Sequence, residues 1–500
     1  MHAERYNAST LLDANLAAGR GARTALYCGD ERISYDDLFA RVCALGWLLR
    51  EFGIQREHRV LLVLGDTPAF PLVFFGALRL GAVPVPVNPL YKASDYQFFL
   101  EDSAARLVIT DAAQFDKVTE AVAACGESVN IIIAEELDKL LAGQKTMLTP
   151  ADTHRDDMAF WLYSSGSTGK PKGVVHLHRN LPATCETYAR NVLELTGNDI
   201  VFGRVLFHAY GLGNALSFPF SAGAASVLLP GRVTPRAILA AIAHYRPTVL
   251  CLVPTLYNAL LNEGAESDLS SLRRCISAAE PLAPETWRRW KERFGLEILD
   301  GIGSTEMLHI FCSNTARECR PGSSGKAVPG YELKIVDDDG MPVSSGATGH
   351  LLVNGPSAAA FYWRNLEKTQ RTMRGEWMVT GDRYRVDADG FYWYEGRADD
   401  MLKVGGEWVS PIEIENVLLE HPAVNEAAVV GATIDHVMRI RAVIILNAPP
   451  TPTLKTELQQ WCKARLQRFQ YPHRIDFVTE LPKTASGKIQ RFKLREEELS

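Results

Sequence analysis

The segment Tyr163–Gly173 (YSSGSTGKPKG) is the part of the chain richest in residues that could do chemistry. Hydroxyl side chains, glycines and two lysines follow one another directly after the strand-like Ala159–Leu162. Such a loop can surround phosphate oxygens with backbone N–H groups and ammonium cations. It is not a Walker A loop, which has four residues between its two glycines, because only Ser167 and Thr168 stand between them here. We therefore expect a nucleotide-phosphate loop of another kind; the alternative is a solvated Gly/Ser turn.

Further short strings of glycines with carboxylates or lysines lie downstream. They are Gly301–Glu306 (GIGSTE), Thr380–Asp382 (TGD), Gly396–Gly405 (GRADDMLKVG) and Pro482–Lys488 (PKTASGK). With the phosphate loop they resemble, in the same order, the signatures of the adenylate-forming superfamily of acyl-CoA synthetases, adenylation domains and luciferases. A lone TGD or GxG string is weak evidence, whereas five ordered strings are specific. The resemblance covers at least residues 163–491.

The resemblance implies which residues contact the phosphates of ATP. The phosphate contacts would be Ser164, Ser165, Gly166, Ser167, Thr168, Gly169 and Lys172. Thr168 and Glu306 would hold or orient Mg²⁺, an ion that prefers hard oxygen ligands. By itself Glu306 could equally be a surface carboxylate, but the preceding Gly303-Ser304-Thr305 string favours the metal role.

The ribose and adenine contacts are implied in the same way. Asp382 would accept hydrogen bonds from both ribose hydroxyls, with Arg397 as a second contact; the alternative for Asp382 is a simple turn former. The adenine would lie against Ser277–Pro281 (SAAEP), with Ala279, Glu280 and Pro281, and against Asp300, Gly301 and Ile302. Gly303, Ser304 and Thr305 are further expected cofactor contacts. Relatives commonly carry Gly at the position of Ala279.

The C-terminal strings imply a moving catalytic domain. Lys488 would stabilise the charge that develops between the substrate carboxylate and the phosphate during adenylation; without the surrounding string it would be assigned as an idle surface lysine. Asp399 would act as the hinge between two half-reactions. Lys403, Gly405, Gly406 and Trp408 would then face the pantetheine arm of coenzyme A, which needs close backbone approach.

Two other segments, Phe207–Gly211 (FHAYG) and Met307–Phe311 (MLHIF), would line the pocket for the acid. The expected lining residues are Phe207, Ala209, Tyr210, Gly211, Ala278, Gly301, Gly303, Leu308 and His309. Aromatic rings beside small residues and flat glycine backbone suit a planar ring and not a long chain. His208 could gate this slot or meet the phosphates and His309 could contact a ring substituent; packed structural histidines are the alternative.

These strings, together with Tyr6–Thr10 (YNAST), are most similar to benzoate-CoA ligases and their relatives that act on hydroxy- or aminobenzoates. The implied activity is ATP-dependent formation of an aryl-AMP, followed by transfer of the acyl group to coenzyme A. Three alternatives remain open. They are an aryl-adenylating enzyme that loads a carrier-protein thiol, a luciferase-like oxygenase and a non-catalytic ligand-binding protein.

Composition narrows the class of protein. The formal net charge of -6 leaves no basic surplus for a nucleic-acid backbone. The nine cysteines are scattered without metal-ligand spacing, which favours reduced thiols. The N-terminus does not resemble a secretory signal, and prolines interrupt the apolar stretch Ala69–Leu90, so we expect a cytoplasmic protein without a membrane span. It would be a monomer or a homodimer.

The elements that position these motifs can also be predicted. Short apolar runs such as Arg59–Leu64, Leu107–Thr110 and Val249–Val253 alternate with helix-length segments, which is typical of parallel α/β sheets. From Tyr331 the pattern favours antiparallel strands. A compact α+β unit follows, with one of its strands expected at Ala442–Leu446. We predict an α/β fold with a large N-terminal domain (1–396) that includes a β-rich subdomain, a hinge (397–400) and a small mobile C-terminal domain (401–500).

Overall fold

This computed structural model describes residues 4–126, 129–165, 171–231, 233–263, 267–398, 400–404, 407–434, 437–467, 470–483 and 489–496. The first part of the chain forms α1 (Thr10–Ala17), β1 (Thr24–Cys28), β2 (Glu31–Ser34), α2 (Tyr35–Glu51), β3 (Arg59–Val63), α3 (Ala69–Leu80), β4 (Val83–Pro86), α4 (Ala93–Ser103), β5 (Leu107–Thr110), α5 (Phe115–Cys125), β6 (Asn130–Ile133), α6 (Leu137–Leu141), β7 (Met158–Ser165), β8 (Pro171–Leu177) and α7 (Asn180–Thr184).

The middle part forms β9 (Ile200–Phe202), α8 (Ala209–Leu212), α9 (Phe218–Ala222), β10 (Ala225–Leu228), α10 (Pro235–Tyr245), β11 (Val249–Leu252), α11 (Pro254–Asn262), β12 (Arg274–Ser277), α12 (Pro284–Phe294), β13 (Ile298–Gly303), β14 (Ile310–Ser313) and β15 (Lys326–Ala327). Two segments, Cys185–Arg190 and Gly213–Ser217, form π-helical turns.

The last part forms β16 (Glu332–Val336), β17 (Gly349–Asn354), β18 (Phe361–Tyr362), α13 (Leu366–Thr372), β19 (Met373–Arg374), β20 (Trp377–Val386), β21 (Tyr392–Arg397), β22 (Leu402–Val404), β23 (Glu407–Val409), α14 (Pro411–Leu419), β24 (Val424–Ile434), β25 (Val437–Leu446), α15 (Leu454–Arg465), β26 (Arg474–Phe477) and α16 (Arg491–Glu496).

Two sheets with mainly parallel strands form the large domain. One has the order β4-β3-β5-β6, and the other has the order β15-β14-β13-β12-β11-β9-β10-β1-β2, with antiparallel strands only at its two ends. The strands β5, β10 and β11 are buried along their whole length, as expected of parallel strands covered on both faces. The predicted α/β class is confirmed.

Antiparallel strands form further sheets. The hairpin β7–β8 pairs with β18, and β16-β17-β20-β19 form a sheet to which β21 adds through β20. The turn before β21 forms because Asp387 Oδ1 accepts the backbone N–H groups of Asp389 and Phe391, at 3.0 and 2.9 Å.

The C-terminal unit has its own apolar core. The sheet β24-β25-β26 packs against α14 and α15 through residues such as Val429, Ile444 and Leu458. The sequence analysis predicted β25 too short and did not predict β24, because Val424–Ile434 lacks strict polar–apolar alternation. A buried ion pair, Arg491 to Glu415 at 2.8 Å, joins the last helix to α14.

Helix α3 shows why the apolar stretch near residue 75 is not a membrane span. It ends at Gly81, which adopts φ 80°, and leads directly into the buried strand β4. In the described part of the chain, no helix combines the length and apolarity needed to cross a bilayer.

Candidate active site

The phosphate-loop segment lies at the end of the β7–β8 hairpin. Ser164 pairs with Lys172 across the hairpin, and Ser165 pairs with Pro171. The residues between them, with the predicted contacts Gly166, Ser167, Thr168 and Gly169, lie outside the described residues, as does the side chain of Ser165.

The hairpin is anchored to a neighbouring helix close to this segment. The hydroxyl of Tyr163 donates a hydrogen bond of 2.7 Å to Asp102 Oδ2, and the Tyr163 ring lies 4.5 Å from that of Phe99. Burial raises the pKa of Tyr163. The neighbouring Ser164 Oγ is buried and has no hydrogen-bond partner among the described residues. A buried hydroxyl in this state fits an oxygen-rich ligand such as a phosphate.

Lys172 and Glu306 come together around Tyr362. The hydroxyl of Tyr362 donates a hydrogen bond of 2.7 Å to Glu306 Oε1, and Lys172 Nζ lies 4.6 Å from the centre of the Tyr362 ring. Burial lowers the pKa of Lys172; Glu306 opposes this effect, while Lys368 and Arg397 add to it. The site therefore contains a partly desolvated cation beside a fixed carboxylate, which suits polyphosphate binding.

The carboxylate of Glu306 fits one kind of metal site. The described residues contain no group of three or more His, Cys, Asp or Glu side chains that could hold an ion without other ligands. Mg²⁺ that accompanies a nucleotide takes one or two protein carboxylates and completes its shell with phosphates and water. Glu306 therefore fits a magnesium ion that arrives with ATP.

Asp382 and Arg397 occupy paired positions on β20 and β21. Arg397 Nη1 lies 3.1 Å from Asp382 Oδ1 and donates a hydrogen bond of 3.0 Å to the carbonyl of Thr380. Gly381, with φ 78°, lies beneath the guanidinium, and a Cβ there would stand 2.7 Å from Arg397 Nη2. The TGD turn thus holds a carboxylate beside a guanidinium, an arrangement able to receive two vicinal hydroxyls.

The predicted adenine edge follows strand β12. Ala278 is buried, whereas Ala279 is exposed and adopts φ 76°, in the left-handed region that favours glycine. Glu280 Oε2 accepts a hydrogen bond of 2.8 Å from the Thr255 hydroxyl, and Pro281 is exposed. Burial raises the pKa of Asp300, on the adjacent strand β13, well above its usual value.

The loop after Gly303 is held by local hydrogen bonds. Ser304 Oγ accepts the backbone N–H of Met307 at 3.2 Å, and the carbonyl of Thr305 accepts from His176 Nε2 at 2.8 Å. His176 is buried, and burial lowers its pKa to about 4, so it acts as a neutral structural donor. These hydrogen bonds fix the backbone of the loop after β13 and thereby the position of Glu306.

The acid-pocket segment begins at a clamp formed by Asp66. Its two carboxylate oxygens each accept one backbone N–H, from Val205 and Leu206, both at 2.9 Å. Arg204 pairs with the same carboxylate at 3.4 Å. These contacts fix the backbone just before Phe207 and His208 and so define where their side chains lie. The centres of the two rings are 4.8 Å apart. The sequence analysis did not identify Asp66, although a polar side chain shortly after the carboxyl end of a parallel strand is a usable signal.

His309 lies within a group of aromatic rings. The centres of the Tyr188, Tyr210 and Phe218 rings are 4.8, 5.7 and 4.5 Å from its imidazole. The side chain is buried, and neither Nδ1 nor Nε2 has a hydrogen-bond partner among the described residues. Burial lowers the pKa of His309 to about 3. A neutral imidazole with unused hydrogen-bonding capacity can meet a polar group of a ligand.

Glycines allow neighbouring backbone segments to approach closely near His309. A Cβ at Gly303 would stand 2.5 Å from the carbonyl oxygen of His309, and one at Gly301 would stand 2.7 Å from that of Cys312. A Cβ at Gly211 would meet the carbonyl oxygens of the loop that Asp66 clamps. Ala209 and Leu308 are buried nearby in sequence, and Ile302 is half-buried.

The predicted residues of the small domain are described only in part. Lys488, Asp399, Gly405 and Gly406 lie outside the described residues. The backbones of Lys403 and Trp408 are paired in the β22–β23 hairpin, but their side chains are not described.

The structure therefore brings residues predicted to contact the phosphates, the ribose and the acid into three local groups, which lie around β8, β21 and β13 respectively. Tyr362 joins the first group without having been predicted, because a tyrosine in a short apolar run has the pattern of a core residue. Tyr188, whose ring lies beside His309, was not predicted either.

The chain matches known proteins along nearly its whole length. Residues 14–363 match the family model described as AMP-binding enzyme, and residues 413–488 match that of the AMP-binding enzyme C-terminal domain. The benzoate–CoA ligase of Thauera aromatica is 45% identical over 98% of this chain and 96% of its own length.

Two solved structures are also similar. An anthranilate CoA ligase in complex with anthranoyl-AMP has a TM-score of 0.96 and 40% identity, over 99% of this chain and 98% of that one. A benzoate CoA ligase from Burkholderia xenovorans LB400 has a TM-score of 0.93 and 43% identity, over 98% and 100% of the two chains. The resemblance predicted from the five sequence strings is thus confirmed, and the chain belongs to the AMP-binding enzyme family of adenylate-forming enzymes.

Proposed function

We propose that the chain is an AMP-forming acid–thiol ligase that activates a small aromatic carboxylate with ATP and transfers the acyl group to coenzyme A. The acid would be of the benzoate, 2-aminobenzoate or hydroxybenzoate type. AMP and pyrophosphate would be released. The names of the similar proteins are those of ligases for benzoate and anthranilate, which are acids of this kind. The similarity covers nearly the whole chain.

One observation carries the choice of acid. His309 lies among aromatic rings, and the carbonyl oxygen of His309 is close to the backbone of Gly303. A planar ring can stack against aromatic side chains and glycine backbone, which favours an aromatic acid over a long flexible chain. The pocket residues we propose are Phe207, Ala209, Tyr210, Gly211, Ala278, Gly301, Gly303, Leu308 and His309, with His208 at the phosphate side.

Binding and orientation of ATP follow from the remaining groups. Ser164 and Lys172, with the loop residues that connect them, would hold the β- and γ-phosphates. Asp382 and Arg397 would hold the ribose, and the segments at Ala279 and Asp300 would border the adenine. Bringing the acid carboxylate close to the α-phosphorus in a fixed geometry is the main task, since two anions otherwise repel each other.

Glu306 and Thr168 would bind Mg²⁺, which would spread the negative charge of the phosphates. Lys488 would neutralise the charge on the reacting carboxylate and α-phosphate. After pyrophosphate leaves, we propose that rotation of the small domain (401–500) about Asp399 in the hinge (397–400) brings Lys403 to Trp408 to the large domain (1–396), where the thiol attacks. Coenzyme A is the proposed acceptor. A cytoplasmic location and a monomeric or homodimeric state are part of the same proposal.

The test is acid-dependent release of AMP from ATP, with and without coenzyme A. We would compare benzoate, 2-aminobenzoate, 4-hydroxybenzoate and a medium-chain fatty acid. Equal amounts of AMP and aryl-CoA from one aromatic acid are expected. Pyrophosphate release without a thioester would indicate a carrier-protein acceptor, and faster turnover of the fatty acid would contradict the proposed pocket.

A further inference from the structure

We infer that Tyr362 is a positioning residue for the phosphate site, which orients the carboxylate of Glu306 with its hydroxyl and the ammonium of Lys172 with its ring. This inference rests on the proposed function, because it assumes that Glu306 binds magnesium and that Lys172 binds phosphate. No sequence string pointed to Tyr362. The contacts of three side chains carry the argument.

Tyr362 is itself rigidly held. Its side chain is 2% exposed and packs against Val174, Ala359 and Met373. Its backbone pairs with Val174 on β8, two residues beyond Lys172, and its N–H donates a hydrogen bond of 3.0 Å to Thr369 Oγ1. A ring held at several points can transmit its position to the groups that it contacts.

The hydroxyl acts on Glu306. It donates a hydrogen bond of 2.7 Å to Oε1, while the N–H of Ala359 donates one of 2.8 Å to the Glu306 carbonyl. One short segment thus holds both the backbone and the side chain of Glu306. A carboxylate has about four acceptor sites, so one O–H fixes its orientation and leaves capacity for a cation.

The ring acts on Lys172. The ammonium lies 4.6 Å from the ring centre, within the range of a cation–π interaction. This contact keeps the flexible lysine side chain at a defined place beside Glu306. Tyr362 therefore sets the relative placement of one acidic and one basic group, and each half of its side chain has a separate role.

The decisive variant is Tyr362→Phe, which removes the hydroxyl and keeps the ring. Isothermal titration calorimetry would measure ATP binding at a series of free Mg²⁺ concentrations without any acid, so that no turnover occurs. We expect the Mg²⁺ concentration for half-maximal enhancement of ATP binding to rise roughly ten-fold, because a hydrogen bond to a charged group is lost. Binding of ATP in EDTA should be nearly unchanged.

Tyr35→Phe is the matched control. Tyr35 is also fully buried, and its hydroxyl donates a hydrogen bond of 2.6 Å to the carbonyl of Ala224, far along the chain from the phosphate site. Both variants should lower the melting temperature, but only Tyr362→Phe should change the Mg²⁺ dependence. An equal Mg²⁺ dependence in Tyr362→Phe and wild type would overturn the inference.

Two further variants separate the parts of the argument. Glu306→Gln should change the Mg²⁺ dependence at least as much as Tyr362→Phe; if it has no effect, the metal role of Glu306 and this inference both fail. If Glu306→Gln has the effect and Tyr362→Phe does not, only the role of Tyr362 fails. Tyr362→Leu should in addition weaken ATP binding in EDTA several-fold, through the lost ring contact with Lys172. Equal binding by the Leu and Phe variants would overturn the part assigned to the ring.

Discussion

Ala279 occupies a backbone position that few alanines adopt. Its φ of 76° places the Cβ close to the following carbonyl, which costs an L-residue about 1–2 kcal/mol. The side chain is exposed, so no packing compensates for this cost. Because the residue borders the proposed adenine site, the strained turn sets the direction in which the chain passes the base.

We expect Ala279→Gly to stabilise the protein by up to about 1 kcal/mol, since glycine adopts this φ without strain but loses more entropy on folding. Ala278→Gly is the opposite control, because Ala278 is buried at an ordinary φ and its loss should destabilise by about 1 kcal/mol. Chemical denaturation of the three proteins would measure both effects. A loss of stability in Ala279→Gly would contradict the strain argument.

At the scale of elements, the Asp66 clamp connects the first parallel sheet to the proposed acid pocket. The carboxylate accepts two backbone N–H groups of the loop that leads to Phe207. Removal of an acceptor leaves buried donors unpaired, and each costs about 1–3 kcal/mol. The loop would then lose the direction that places its aromatic rings.

For Asp66→Ala we therefore expect the KM of the aromatic acid to rise about ten-fold or more, while the KM of ATP changes much less. The KM of the aromatic acid for Asp66→Asn should lie between those of the wild type and Asp66→Ala, because the amide oxygen can still accept one of the N–H groups. Steady-state kinetics with each substrate varied in turn would show the difference. Equal increases in both KM values would mean that the clamp acts on the whole domain.

A strand could be predicted where its own short sequence has a clear strand pattern. Strand β5 was predicted at its observed limits, Leu107–Thr110, because an apolar run of that length has few alternatives. Strand β24 was not predicted, although it pairs with the next strand, β25, because Val424–Ile434 lacks the strict polar–apolar alternation that marks a strand.

The candidate site divides in the same way. Lys172, Glu306, Asp382 and Arg397 could be named from short strings, and the structure brings them into contact with one another or with Tyr362. Tyr362 itself could not be named, because its function depends on the pairing of β18 with β8, far apart in the sequence. The roles assigned to these residues, and the domain limits, are predictions.

At the scale of the whole molecule, buried histidines link stability to pH. Burial lowers the pKa of His176 and His178 to about 4 and that of His309 to about 3. An unfolded histidine titrates near pH 6.5. As pH falls below about 6.5, the unfolded chain gains protons that the folded chain does not, so stability falls until about pH 4 for His176 and His178 and until about pH 3 for His309.

His178→Gln tests this link. His178 Nδ1 accepts the backbone N–H of Ala8 at 3.0 Å, and a glutamine oxygen can accept the same bond without titrating. At pH 5 the buried histidine should cost about 2 kcal/mol relative to pH 7. The melting temperature of wild type should therefore fall more between pH 7 and pH 5 than that of the variant. A His244→Gln variant, changed at an exposed histidine, should show the same fall in melting temperature between pH 7 and pH 5 as the wild type. An equal fall in the wild type, His178→Gln and His244→Gln would refute the explanation.

The buried pair between Glu415 and Arg491 limits how this protein could be recombined with a relative. The two charges stand 76 positions apart in the chain and 2.8 Å apart in space. A crossover between them that replaced one partner by a neutral residue would leave the other charge buried and alone, at a cost of about 3–5 kcal/mol. In a chimaeric protein, the whole segment from α14 to α16 should consequently come from the same parent.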